Sequence, residues 1–278
     1  MELEIIAIYC WCDLILKQLN VKDDCRAEMN NTEIITTAIV SVRFFFGNFE
    51  RARVFLKEEG YIPKMLSKSR FNRRLQALGT DLIGDVQQVI GELFKSSNST
   101  GEYVVDSFPV PVCENIRIFH SKIYSDEKYR GYQASKNRYF YGLKVHMIVT
   151  VKGEPVEFVL SYGSCSDIKA FKALDLDLPE ESYIYGDRAY TDYDEEDFLL
   201  EAKINLQPQR KSNSKRQHAG YTNFIIDKKR KIIETVFSQI ARLLPKHIHA
   251  ITSKGFEIKV ALFACAGSFM ALASKFAS

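Results

Sequence analysis

Three acidic residues stand where carboxylates could do chemistry. Asp106 lies in a β-rich stretch just ahead of two prolines, and Asp187 follows the apolar run Tyr183–Tyr185 where Gly186 ends it. Glu234 lies in an amphipathic helical stretch of the second half of the chain. The three residues are far apart along the chain, so only the fold can bring them together.

A cluster of these acids would need a counter-charge. Two carboxylates about 4 Å apart repel by roughly 4 kcal/mol at an effective dielectric near 20, so such a cluster takes up protons or binds a cation. Oxygen ligands without Cys or His suit Mg²⁺ or Mn²⁺. Paired ions of this kind serve phosphoryl transfer. We therefore expect Asp106, Asp187 and Glu234 to hold two divalent ions.

Arginines accompany two of these acids. Arg188 follows Asp187 directly, and Arg230 precedes Glu234 by four residues, which places both on one helix face. A guanidinium in either place could neutralise phosphate charge beside the metal ions. Simpler interpretations stay open at this point: an Asp at a strand end often caps a turn, and an Arg–Glu pair at this spacing is often an ordinary helix ion pair.

The second half of the chain must position these side chains. From Glu102 onward the pattern predicts the order β-β-β-α-β-α-β-α, with a hairpin turn at Lys152–Glu154. In such an α/β layer the first and fourth strands can lie side by side, and a helix packed on the sheet can present Glu234 above them. The predicted fold class is α/β, with a catalytic domain over residues 99–278.

The first half, residues 1–98, reads as helices. Asn48 and Ser67 are candidate N-caps of two short helices, which together indicate a helix-turn-helix within residues 48–78. Such a second helix would place guanidinium groups near phosphates and base edges. The arginines expected to contact DNA there are Arg70, Arg73 and Arg74.

Charge is segregated along the chain, although the net charge is only +3. Residues 51–74 hold eight Lys/Arg against two Glu, and residues 208–231 hold eight against one Asp. This distribution favours a polyanionic partner. Within the second basic run, residues 210–216 are predicted to form a mobile loop over the site that DNA orders, and Arg210 and Lys211 are expected to bind DNA.

Basic residues also alternate with tyrosines in "GYQASKNRYFYGLKVH". This composition suits a strand or flap that lies along DNA, with phosphate contacts and base stacking. The residues expected to contact DNA from this stretch are Lys136, Arg138 and Lys144. His146 and Asp167 have simpler interpretations, as a polar core residue and a helix N-cap, and Asp167 is a candidate for a supporting role near the metals.

The remaining features indicate an intracellular protein. The six cysteines form no CxxC pair, and the first residues, "MELEIIAIYC", are acidic where a signal peptide would be basic. The uncharged run Val260–Ser274 is shorter than the roughly 18 residues of a membrane span. We expect a buried helix there, a cytoplasmic location and no membrane partner.

Several blocks of the sequence resemble one known family. "VVDSFPVPVC", "YRGYQASKNRYFYGLKVHMI", "YGDRAY" and "RKIIETVFSQI" are similar to signature blocks of DDE transposases from bacterial insertion sequences. "SRFNRRLQAL" and "HAITSKGFEIKVALF" are similar to the same group. The resemblance extends along most of the chain and is greatest to the insertion-sequence family numbered nine-eighty-two.

The resemblance implies an RNase H-like mixed sheet flanked by helices and preceded by an all-α DNA-binding region. It implies that Asp106, Asp187 and Glu234 form the catalytic triad, with Arg230 as a further catalytic residue and Arg188 near the DNA. It further implies that water, assisted by two Mg²⁺ or Mn²⁺ ions, cleaves DNA at terminal inverted repeats. The freed 3′-hydroxyl would then attack target DNA, in a homodimer or larger assembly.

Two positions depart from the family pattern. Related transposases carry a Tyr three residues before the Arg and a Lys one or two turns after the Glu, where this chain has Asp227 and Ala241. The alternatives at this stage are an inactive DNA-binding relic, a metal-dependent nuclease of the same fold and a hydrolase of small phosphoesters.

Overall fold

The computed structural model describes residues 1–174 and 176–276. The chain divides into two compact units, one of Met1–Val89 with Gln239–Ser278 and one of Ile90–Ser238. The sequence predicts one boundary near residue 98, with everything beyond it in the catalytic domain. In the structure, by contrast, the last part of the chain groups with the N-terminal helices, and its residues 277 and 278 lie outside the described range.

The first unit is helical. Its helices are α1 (Glu2–Gln18), α2 (Asn31–Phe45), α3 (Phe49–Glu58), the first part of α4 (Lys68–Ser96) and α8 (Ser253–Phe276), together with the end of α7 (Gly220–Leu243). Asn48 caps α3 as predicted, since its side chain accepts a hydrogen bond from the Arg51 N–H. Helix α4 begins just after Ser67 as predicted, and Gly79, whose backbone is not helical, divides it at a kink into two helical parts, as expected of the glycine predicted to end the first of two helices.

Helix α8 contains the uncharged run near the C-terminus. Within the described residues, Ser253–Lys275 is the one segment long and apolar enough to cross a membrane by length and composition. Of its most apolar window, 72% is buried inside the structure. Side chains such as Phe256, Leu262 and Phe263 are fully buried there, as in the core helix that the sequence predicts.

The second unit is built on a mixed sheet. Its strands are β1 (Glu102–Pro111), β2 (Arg130–Gln133), β3 (Arg138–Thr150), β4 (Pro155–Tyr162), β5 (Tyr183–Gly186) and β6 (Asn205–Pro208). The path β4-β3-β1-β5-β6 forms the sheet, and the short β2, which the sequence analysis did not separate, pairs with the start of β3. Strands β1, β3 and β4 are antiparallel neighbours, whereas β5 and β6 run parallel to β1. This is the RNase H-like arrangement expected.

Helices cover the sheet and join its parallel strands. They are α5 (Asp167–Phe171), α6 (Tyr193–Glu201) and α7, together with the end of α4. Helix α4 packs backbone-to-backbone against the sheet at Gly91, where an added Cβ would lie 2.1 Å from the Val156 carbonyl oxygen. Only glycine permits that approach.

Strand β1 has one fully paired side and one partly paired side. Its ladder with β3 extends from Tyr103 to Pro111, whereas its ladder with β5 ends at Val104. The Val112 N–H donates to the Tyr141 carbonyl of β3. Because N–H groups alternate in direction along a strand, the backbone nitrogens of Pro109 and Pro111 face the other, open side. The prolines therefore remove no donor from the ladder with β3.

Candidate active site

Strand register brings two of the predicted acids together. Strands β1 and β5 are parallel neighbours, and Val104 pairs with Tyr185. Two residues further along each strand, Asp106 comes level with Asp187. Residues in register on neighbouring strands point to the same face of a sheet, so both carboxylates are directed to one side. Their charges interact, and Asp187 contributes to the raised pKa of Asp106.

The turn after β5 fixes the position of Asp187. Its Oδ1 accepts a hydrogen bond of 2.8 Å from the Ala189 N–H and so caps the short 3-10 turn Arg188–Tyr190. A Cβ at Gly186 would lie 3.1–3.2 Å from Tyr190 and Val105. The missing side chain therefore lets the fully buried Tyr190 fold back under the strand end. The motif "YGDRAY" is thus both a packing motif and a support for the carboxylate.

Helix α7 supplies a cation to the pair. Arg230 Nη2 donates to Asp106 Oδ2 at 3.2 Å, and its Nη1 donates to Gln209 Oε1 at 3.1 Å. Gln209 directly follows β6, whose Pro208 is level with Gly186, so it comes level with Asp187. The Gln209 amide nitrogen in turn donates to Asp227 Oδ1, one turn before Arg230 on α7.

Sequence reasoning missed Gln209 and assigned Asp227 no role beyond a departure from the family pattern. The available signal was position: Gln209, like Asp187, directly follows a short strand of the parallel part of the sheet. Such positions line the carboxyl edge, where sites of α/β proteins are usually built.

The site is short of positive charge. Burial raises the pKa of Asp106 to about 6, against the effects of the Ser107 N–H and Arg230, and the charge of Asp187 adds to the rise. Burial also raises the pKa of Asp187, which the Ala189 N–H and Arg230 oppose. Arg188 also opposes the rise for Asp187, yet burial outweighs both arginines, and this favours protonation of the acids or the binding of a further cation.

Glu234 lies on the same side of α7 but at its exposed edge. Arg230 contacts Asp106, and Phe237 packs against Phe108 with ring centroids 4.7 Å apart. Position 234 lies between 230 and 237 along the helix axis but about 40° around the helix from 230, because each residue turns the helix by about 100°. The Glu234 side chain is exposed. The structure therefore brings Asp106, Asp187 and Arg230 together and does not gather Glu234 with the two aspartates.

The opposite face of β1 carries a second polar cluster. Ser107 Oγ donates to Asp167 Oδ1 at 2.9 Å, and Lys144 Nζ donates to the same oxygen at 3.2 Å. The fully buried His146 lies with its Nδ1 3.7 Å from that oxygen and its Nε2 2.7 Å from Ser161 Oγ. We refer to Ser107, Lys144, His146 and Asp167 as the Asp167 cluster.

The Asp167 cluster revises two expectations. Asp167 is not the N-cap of α5, because Ser166 occupies that position and Asp167 begins the helix. Lys144 is not a free surface cation, because it is half-buried and donates to Asp167 and to the Cys165 carbonyl at 2.8 Å. The charge of Asp167 contributes to the raised pKa of Asp187, so the cluster lies close behind the site.

The predicted DNA contacts of the sheet unit divide into two groups. The side chains of Lys136, Arg138, Arg188 and Lys211 are exposed. Arg210 instead has a side chain only 4% exposed and forms two 2.6 Å hydrogen bonds to the carboxylate of Glu196 on α6. The structure therefore does not place Arg210 on a surface that DNA can reach, because an acid that the sequence could not pair with it holds it inside.

In the helical unit, the arginines of the expected helix-turn-helix lie along the start of α4. Arg73 is exposed. Arg70 forms an exposed ion pair of 2.8 Å with Glu28, and Arg74 donates to Asn31 Oδ1 at 2.9 Å. An exposed pair of this kind contributes little to stability, so it does not prevent Arg70 from binding another anion.

A family comparison agrees with this geometry. Residues 96–250, which include Asp106, Asp187, Arg230 and Glu234, match the transposase DDE domain. The chain belongs to the transposase DDE domain family. Proteins of this family in general depend on a divalent metal. No curated protein matches the chain.

One solved structure is similar to the chain at low identity. It is the cryo-EM structure of the piggyBac transposase synaptic complex with hairpin DNA, at 11% sequence identity and a TM-score of 0.44. The alignment covers 99% of this chain and 73% of that chain.

The residues of this DDE domain fit a divalent metal in their chemistry. Asp106 and Asp187 offer hard oxygen atoms in a partly desolvated place, and Arg230 and Arg188 do not offset the rise in pKa that burial causes. Within residues 1–174 and 176–276, no three His, Cys, Asp or Glu side chains are gathered closely enough to hold an ion. Asp106 and Asp187 are thus paired, whereas the third predicted ligand, Glu234, is exposed on α7 and is not gathered with them.

Proposed function

We propose that this DDE domain protein is a transposase that cleaves DNA at the terminal inverted repeats of a bacterial insertion sequence and joins the 3′-hydroxyl ends to target DNA. The observation that carries the proposal is the pairing of Asp106 with Asp187 beside Arg230. The sequence blocks quoted above support the insertion-sequence family numbered nine-eighty-two.

Each residue of the site has a defined part in this proposal. Asp106, Asp187 and Glu234 would hold Mg²⁺ or Mn²⁺, which when bound activates the attacking oxygen and stabilises the leaving oxygen. Arg230 already neutralises one carboxylate and is oriented by Gln209. On the arrival of a phosphate it would donate to the phosphate oxygens, because a guanidinium binds them in a bidentate way.

Exposed cations would position the DNA. Arg188 lies one residue from Asp187, and Lys136, Arg138 and Lys211 are exposed in the same unit. In the helical unit, Arg70, Arg73 and Arg74 on α4 would bind the inverted repeat. Phosphate contacts of this kind give affinity that falls as salt rises.

We infer that the protein works on the cytoplasmic nucleoid as at least a homodimer, because two ends must be cut and joined in one complex. The partner is double-stranded DNA, both the element ends and the target. No membrane role enters the proposal, since the apolar α8 is largely buried.

The test uses DNA that carries the sequences flanking this reading frame in its genome. Wild-type protein, Asp187→Asn and the matched control Asp194→Asn, which alters an exposed acid of α6, are incubated with Mg²⁺ or Mn²⁺. Primer extension then maps the breaks. We expect metal-dependent cuts at fixed terminal positions with wild type and Asp194→Asn, and none with Asp187→Asn.

The products separate the other functions from this one. Joined strand-transfer products support a transposase, whereas cuts without joining support a nuclease. Specific binding without cuts under either metal supports a DNA-binding relic. Hydrolysis of small phosphoesters with no DNA binding would overturn the proposal.

A further inference from the structure

The connection between β1 and β3 is a folded insert of its own. Residues 112–137 include three 3-10 turns and β2, and they enclose the buried side chains of Ile118, Ile123 and Tyr124. Asn115 Nδ2 donates to the Tyr139 carbonyl at 2.6 Å and so fixes the first turn to β3. The buried side chains and this hydrogen bond therefore hold the exposed side chains of the insert in place.

The first turn of the insert displays two large apolar side chains. Ile116 is 83% exposed and Phe119 is 91% exposed. They are three residues apart in a 3-10 turn, where side chains at this spacing lie directly above one another. The two form one apolar knob, which we call the Phe119 knob. Burying such surface is favourable, so its exposure indicates a site that another molecule covers.

A second aromatic surface lies on β2 and β3. Tyr132 and Tyr139 are each 50% exposed, with ring centroids 5.1 Å apart. The Arg130 guanidinium lies 4.1 Å from the Tyr139 ring centroid. Exposed rings with a cation over one face are typical of surfaces on which nucleic acid bases stack.

The net positive charge of the insert favours DNA over protein as the partner. Residues 112–138 hold six Lys/Arg against three Asp/Glu. The basic residues are Arg117, Lys122, Lys128, Arg130, Lys136 and Arg138. A protein surface of mixed charge would use the apolar knob but not this excess of cations. Unpaired DNA uses both, because it offers flat apolar base faces along a chain of phosphates.

The insert also lies at the correct place for DNA that is being cut. Strand β1 runs directly from Asp106 to the insert, and five residues of strand span about 17 Å. This distance corresponds to about five base pairs of duplex. A strand end freed at Asp106 and Asp187 would thus pass the knob within a few nucleotides.

We propose that the Phe119 knob and the Tyr132–Tyr139 pair bind unpaired bases next to the cleavage site. The inference rests on the proposed function, because it assumes that the site acts on DNA. It adds a preference for forked or single-stranded DNA over blunt duplex.

The test measures binding by the full chain without metal, so that no cleavage occurs. The probes are a fluorescein-labelled blunt duplex and the same duplex with an unpaired fork, compared by anisotropy. Phe119→Ala is expected to weaken fork binding about tenfold and to leave blunt-duplex binding within about twofold. The matched control is Phe198→Ala, which removes a ring that is 65% exposed on the acidic helix α6, and it should change neither affinity.

A second variant reports stacking directly. Phe119→Trp in a Trp11→Phe background leaves one tryptophan in the chain, since Trp11 is the only one. We expect it to keep fork affinity and to lose fluorescence when forked DNA binds, because bases stack on the indole. Unchanged fluorescence at saturating fork would overturn the proposal.

The outcomes separate this inference from the proposed function. If wild type binds neither probe, both fail. If wild type binds and cuts DNA but Phe119→Ala binds both probes as wild type does, only the inference fails. It also fails if Phe119→Ala instead lowers the mass of the free protein in sedimentation, since the knob would then be an interface between copies of the chain.

Discussion

The two faces of β1 carry carboxylates in opposite electrostatic conditions. On one face, Asp106 and Asp187 share Arg230, and burial raises the pKa of both acids. On the other face, Asp167 alone accepts from Lys144 and Ser107. On the first face the arginines do not offset the burial of the two carboxylates, whereas on the second face Lys144 pairs with Asp167. Adjacent positions of one strand thus serve a reactive site and a structural support, because side chains alternate between the faces.

The first prediction concerns the unbalanced face. Asp106→Asn should lower DNA cleavage by at least about a thousandfold, since in the proposed function it removes a ligand of the ion that stabilises the charge of the transition state. The same variant should unfold no more easily than wild type in metal-free buffer, because it removes a desolvated charge. Cleavage rates and urea midpoints measure the two effects. A variant that cuts at the wild-type rate would show that Asp106 is not a ligand.

The second prediction tests the balanced face by pH. Burial lowers the pKa of His146 from 6.5 to about 4, although Asp167 opposes the shift, and Lys144 adds to it. The folded-state pKa is thus below the unfolded value, so the stabilisation is present above pH 6.5 and is lost as pH falls toward 4. Between these values the free energy of unfolding should fall by about 3 kcal/mol more in wild type than in His146→Gln.

Urea unfolding at a series of pH values measures this difference. Equal losses in the two proteins would mean that folding does not lower the pKa of His146.

The third prediction concerns stability on the balanced face, where removing a carboxylate should destabilise the protein, unlike Asp106→Asn. Asp167→Asn should lower the free energy of unfolding by about 2 kcal/mol, because it leaves Lys144 half-buried without its carboxylate. Thermal unfolding beside Asp106→Asn makes the comparison, with Asp197→Asn as the control for an exposed ion pair. If Asp167→Asn and Asp106→Asn change stability equally, the contrast between the faces is wrong.

The smallest expected effect concerns the support of Arg230. Asp227→Ala should slow cleavage about fivefold, or about 1 kcal/mol, because Gln209 loses its anchor and holds Arg230 less well. Gln209→Ala should do the same. The double variant should be no worse than either single one, since both act through one chain of hydrogen bonds.

Single-turnover rates at saturating metal measure this coupling. Additive effects in the double variant would show that the two residues act separately.

Much of the fold was predictable from the sequence, since the strand and helix patterns are local. The mixed α/β order, the cap at Asn48 and the helix start after Ser67 follow from residue types within a few positions of each other. The grouping of residues 239–278 with the N-terminal helices was not predicted, because it depends on packing between distant segments.

The candidate site was predictable where a strand end marked it, as at Asp187. It was not predictable where a basic side chain pairs with an acid that is distant in the sequence. Lys144 and Arg210 looked like free cations, yet each is paired with an acid from another element. The link from Gln209 to Arg230 depends on the register of β5 with β6, which no local pattern encodes.

The prolines of β1 also affect the tendency of the protein to aggregate. Beyond Val104, β1 has no ladder with β5, and this half-strand would be a place for a foreign strand to add. Pro109 and Pro111 offer no N–H toward that side, so an incoming strand finds no donors at these positions. The edge beside Asp106 is thereby protected from cross-β aggregation.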